Sequence, residues 1–126
     1  MKNKFFNFYK TIVLLAILLA FSVQSEAQEK KRATFWHFGN QAALDFTCQP
    51  VSFAGSQMNS FEGSATISDT NGILQFYTQG TTVWDRNNNI MPNGTGLLGN
   101  PSSVQAAVIV PHPGNNDRYF IFTTDA

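Results

Sequence analysis

The stretch SATISDTNGILQFYTQG, residues 64–80, decides how this chain folds. Two short apolar runs, 65–68 and 73–78, flank Asp69-Thr70-Asn71-Gly72. Both runs are rich in β-branched and aromatic residues, which suit a pleated and buried surface. Asn-Gly favours a turn with positive φ, so the two runs are expected to pair as a hairpin. A related stretch, AAVIVPHPGNNDRYFIFTTDA, occupies residues 106–126. Each copy is an apolar strand, a turn with Asn and Gly, then an aromatic strand ending in Thr. The first strands, from Ser64 and Ala107, lie 43 residues apart, and the second, from Ile73 and Tyr119, lie 46 apart. Such spacing falls in the range of propeller repeats, roughly 40–50 residues.

Working outward, no long stretch of the chain has helical periodicity, and short apolar runs alternate with Gly, Asn, Asp and Pro clusters. This predicts an all-β chain with strands near 34–38, 43–47, 65–68, 73–78, 82–86, 104–110 and 119–124. The segment DRNNNIMPNGTGLLGNPSS, 85–103, predicts a long loop with little regular structure. The inner runs are apolar on both faces: Val104, Ala106, Val108 and Val110 alternate with Ala107 and Ile109, and Tyr119 and Ile121 with Phe120 and Phe122. A sheet with one wet face shows a polar stripe, so these strands expect packing on both sides, as in stacked blades. In the first copy, 82–86 supplies a third strand. The second copy stops before one appears, which predicts an incomplete β-propeller-like domain of roughly one and a half blades of antiparallel strands, part of a longer protein. The competing expectation is a complete small β-sandwich.

The N-terminal part reads differently. Lys2, Lys4 and Lys10 precede an apolar run, 11–23, and a small-x-small Ser25-Glu26-Ala27. This is the pattern of a secretory signal peptide over 1–27, with 28–33 as a solvated leader and 34–126 as the folded domain. The run is shorter than the ~20 residues of a membrane-spanning helix. It implies handling by the Sec translocon and signal peptidase, and export. Residues 28–126 carry five basic and seven acidic residues, without the basic footprint of a nucleic-acid binder. Cys48 is the only cysteine, so no intrachain disulfide is available, and it is expected as a small buried hydrophobe.

These residues together resemble the N-terminal propeller-like region of secreted Bacteroidota proteins that carry a gliding-motility-associated C-terminal domain. The resemblance runs from Trp36 to Asp125. It includes Trp36-His37-Phe38-Gly39, Leu44-Asp45-Phe46, Glu62-Gly63, Ala65-Thr66-Ile67-Ser68-Asp69, Phe76-Tyr77-Thr78, Gly80 and Val83-Trp84. It continues through Asn93-Gly94-Thr95-Gly96-Leu97-Leu98-Gly99, Ser102-Ser103, Val110-Pro111, Pro113-Gly114 and Tyr119 onward. Gln75 and Gln79 depart from the pattern. The resemblance implies type IX secretion, gliding motility and a cell-surface or extracellular location, with a periplasmic one if no sorting domain accompanies the chain. It implies no catalytic residues.

Chemistry is weakly signalled. Seven acids follow residue 27, but no spacing places two of them across a scissile bond. Asp69 and Asp117 sit in turns where Asp bonds local backbone. Ser64 lacks the Gly-x-Ser-x-Gly elbow. Asp69-x-Asn71-Gly72 echoes a calcium loop, but Gly80 stands where the closing acid belongs. No catalytic, cofactor or metal residue is assigned. Trp36, Tyr77 and Trp84 are candidate platform residues for a polysaccharide or protein ligand, with Asp85 beside them, although aromatics in β proteins usually pack the core. The expected role is binding or display by an adhesin-like surface protein, with the blade tops and the Asn/Gly-rich loop as contact surface. The alternative is part of a secreted propeller hydrolase acting on glycans.

Overall fold

The computed structural model describes residues 31–125, together with Val13. The expected signal peptide and the first residues of the leader lie outside the described residues apart from Val13. The chain is all-β, built as three small antiparallel sheets, none closed into a barrel. The first sheet is β1 (Phe35–Phe38), β2 (Asn40–Asp45) and β3 (Val51–Asn59), in that order. The central sheet is β4 (Ala65–Ser68), β5 (Leu74–Thr78), β6 (Thr82–Asp85) and β7 (Ile90–Thr95). The third is the hairpin β8 (Ala107–Pro111) and β9 (Tyr119–Thr123).

The predicted hairpin forms: β4 pairs antiparallel with β5, Ala65 opposite Thr78 and Ile67 opposite Phe76. Its turn has the expected positive φ. Gly72 alone has positive φ, +86°, and the register shifts between Ile67 and Ser68. This is a turn closed by a left-handed glycine and a bulge. The repeat also holds in space. Ala107 lies opposite Thr123 in the β8–β9 hairpin, as Ala65 lies opposite Thr78 in β4–β5.

The central sheet is apolar on both faces and covered on both. On one face, Leu74, Tyr77 and Trp84 pack with Met58 of β3 and against Phe35 of β1. On the other, Ile67, Phe76 and Val83 pack against Ile109, Tyr119, Ile121 and Leu97. The sheets therefore stack face to face, with the central one in the middle. Burying each large side chain contributes roughly 1.5–3 kcal/mol, which is why β5 buries four of its five residues.

Several expectations need correction. β3 was not foreseen; it joins β1 and β2 in a three-stranded sheet. Its sequence, VSFAGSQMN, mixes small and polar residues around Gly55 and hides its inward alternation of Ser56 and Met58. β7 lies inside the segment expected to be a loop, where it completes the central sheet as an edge strand tolerant of Pro92. β2 starts earlier than 43, because Gly39 (φ +56°) and Gln41 (φ +58°) make a tight reversal directly after β1. β8 begins at Ala107, and Val104 is 89% exposed. The leader is not merely solvated: the Arg32 carbonyl accepts the Ser68 N–H (2.8 Å) and the Lys31 carbonyl accepts the Thr34 N–H (3.3 Å). Cys48 is free and exposed rather than buried.

Candidate functional site

The site is a cleft of about 450 Å³ between the first and central sheets, at the end carrying the β4–β5 and β6–β7 turns. Phe35, Phe53 and Leu74 form its apolar walls, and Thr47, Asn71, Arg86 and Asn87 lie along its rim. Phe35 and Phe53 meet edge to face, ring centroids 6.1 Å apart.

The two turns that shape the rim have the same hydrogen-bond pattern. Asp69 Oδ1 accepts the N–H groups of Asn71 (2.8 Å) and Ile73 (3.0 Å), and Asp85 Oδ1 accepts those of Asn87 (2.8 Å) and Asn89 (2.9 Å). The Gly72 N–H reaches the Asp69 carbonyl, and the Asn88 N–H reaches the Asp85 carbonyl, both at 3.0 Å. Gly72 and Asn88 hold the same left-handed position, φ +86° and +65°. Asp serves both turns because its short carboxylate reaches backbone N–H groups two and four residues on.

Gln75 ties the turns together. Its Nε2 donates to Asp69 Oδ2 (3.2 Å) and to the Ile73 carbonyl (2.9 Å), while its Oε1 accepts from Arg86 Nη2 (3.2 Å). At the sequence level Gln75 appeared only as a polar interruption of an apolar run; its role needs a neighbouring strand to be seen. Asn88 was missed for the same reason. Its Oδ1 accepts the Tyr77 hydroxyl proton (2.7 Å), and the Tyr77 oxygen accepts the Gln57 N–H (3.0 Å), so the second turn is fastened to β3.

The three proposed platform aromatics separate. Tyr77 is fully buried and Trp84 is 8% exposed; they stack at 5.5 Å, and His37 stacks on the other side of Tyr77 at 3.9 Å. Neither Tyr77 nor Trp84 offers a face to a ligand, because the first sheet covers them. Trp36 is 52% exposed on the outer face of β1, its Nε1 donating to the Ala33 carbonyl (3.0 Å) and its ring 5.3 Å from Phe46. Asp85 braces the turn that presents Arg86 and Asn87.

Electrostatics follow burial. Both His37 ring nitrogens are shielded and lack a hydrogen-bond partner. Burial lowers its pKa to about 4, so the ring is neutral near pH 7. Burial raises the Tyr77 pKa, opposed by the Gln57 N–H. Among the described residues, no group of three or more His, Cys, Asp and Glu side chains is placed to hold a metal ion. In the cleft itself, aromatic walls can stack on an apolar ligand face while amide and guanidinium groups meet hydroxyls or carbonyls. Comparison of the chain with family models, curated proteins and solved structures finds no match.

Proposed function

We propose that this chain is an exported, adhesin-like binding module, displayed at the cell surface or outside the cell, whose cleft takes a segment of polysaccharide. The observation that carries the reading is the pairing of the Phe35–Phe53 wall with Arg86, Asn87 and Asn71 on two braced turns. Its volume, about 450 Å³, lies in the usual range of small-ligand sites, roughly 300–1,000 Å³. A rim held by backbone-bonded turns loses little freedom when a ligand arrives, which favours affinity. The carboxylates of Asp69 and Asp85 are engaged with their own turns, and that of Asp45 with the Thr47 N–H, an arrangement suited to holding a shape. Export rests on the residue pattern of 1–27, and the link to gliding motility and type IX secretion rests on the family resemblance.

The test is binding of the purified chain to a panel of immobilised polysaccharides. Phe53→Ala and Arg86→Ala should each weaken binding about tenfold or more, a loss of ~1.4 kcal/mol, while Trp36→Ala leaves it unchanged. Equal binding by all three variants sinks the cleft as the site. Release of reducing sugar, abolished by Glu62→Gln or Asp85→Asn, would instead identify a glycan hydrolase.

A further inference from the structure

The third sheet has two strands and lies over a central sheet of four. Among the described residues neither edge of this sheet carries a further strand; β8 lies beside β4, and β9 forms the edge away from it. Next to β9 is a groove of about 550 Å³, with Phe76, Val83 and Met91 of the central sheet among its lining and His112, Asp117 and Arg118 also bordering it. The groove is continuous with the interface in which Tyr119 and Ile121 pack on Phe76 and Val83.

The register tells which backbone groups face it. His112 N–H donates to the Arg118 carbonyl and Thr124 N–H to the Ala106 carbonyl, so these are hydrogen-bonded pairs. Bonded and non-bonded pairs alternate along an antiparallel ladder. With Val110 opposite Phe120 and Val108 opposite Phe122, the N–H and C=O groups of Tyr119, Ile121 and Thr123 point away from β8, toward that edge. Among the described residues these groups have no backbone partner, and such a row beside an apolar floor is a template for one more strand.

The repeat shows what fits such an edge. In the matching hairpin, the corresponding edge of β5 is filled by β6: Phe76 pairs with Asp85, Tyr77 with Trp84 and Thr78 with Val83. We infer that the edge of β9 is a docking site for an extended polypeptide segment of the β6 type, apolar on both faces as Val83 and Trp84 make β6, which pairs antiparallel with Tyr119–Thr123 and lays the apolar side chains of one face on Val83 and Met91. Five residues paired along β9 would span about 16 Å. The partner is recognised by backbone pairing and by small pockets for alternate side chains.

The probe is a capped synthetic peptide of residues 80–87, GTTVWDRN, added to the isotopically labelled full chain. Amide signals of Tyr119, Ile121 and Thr123 should shift and their exchange with solvent should slow. Met91→Lys, on the exposed floor, should weaken binding about tenfold. A peptide N-methylated at alternate residues, which cannot donate along the edge, should fail to bind. Three results overturn the inference: no shifts at about 1 mM peptide, equal binding of the N-methylated peptide, or shifts confined to β5, which would mean exchange with the resident β6.

Discussion

Tyr77 joins the two halves of the account, because one oxygen links β3 to the β6–β7 turn while the ring packs between His37 and Trp84. Tyr77→Phe keeps the rings and strands two partners, the Gln57 N–H and Asn88 Oδ1. It should lower unfolding free energy by about 1–3 kcal/mol in urea titrations. An unchanged midpoint would mean that the oxygen is not shared as described. His37 gives a pH dependence. Its folded pKa, about 4, lies below the ordinary 6.5, so between these values the unfolded chain binds more protons. Stability should therefore be full above about pH 6.5 and fall as the pH drops toward about 4. His37→Phe should flatten that part of the profile. At this scale the sequence was partly legible. That aromatics would pack the core was expected, and Tyr77 and Trp84 do. That His37 would join them was not, because a histidine between Trp36 and Phe38 shows its facing only once β1 is set against β4 and β5.

At the scale of elements, the paired turns make a matched prediction. Asp69→Ala and Asp85→Ala each remove an acceptor of two backbone N–H groups, and each should cost about 1–2 kcal/mol. Both should also weaken binding in the cleft, Asp69→Ala through Asn71 and Asp85→Ala through Arg86 and Asn87; urea titration and binding calorimetry on each variant separate stability from affinity. Gly80 is a sharper case. Its φ is +95° and an added Cβ would lie 2.7 Å from the Ala106 carbonyl oxygen, where the chain from the central sheet to β8 packs down. Gly80→Ala should be among the most damaging single changes, seen as loss of the cooperative unfolding transition. Elements with strong local chemistry were readable in advance: Asn-Gly between apolar runs announced β4–β5, and the repeat announced β8–β9. β3 and β7 were not, because each is an edge strand of mixed polarity whose identity comes from the strand it pairs with. The cleft depends on β3, through Phe53, so it too was hidden.

Across the whole molecule, stacking covers both faces of the central sheet but only one face of the third. The expectation of packing on both faces, drawn from the runs 104–110 and 119–124, fails there: the third sheet keeps Val108, Val110, Phe120 and Phe122 from 39% to 60% exposed on its outer side, and the central sheet is the one covered on both faces. These four pair across the hairpin, Val108 with Phe122 and Val110 with Phe120. Such a patch promotes association. Phe120→Thr with Phe122→Thr should therefore raise the concentration at which the chain stays monomeric by light scattering, without lowering the unfolding midpoint. The central claim remains the stack itself, and it is tested most directly by nuclear Overhauser contacts from the two faces of β5 in one sample. The account predicts cross-peaks from the Tyr77 ring to the His37 ring and, in the same spectrum, from the Phe76 ring to the Tyr119 ring, 5.3 Å apart by centroids. Finding either set without the other in a folded sample would show that the central sheet is covered on one side only, and the account would be wrong.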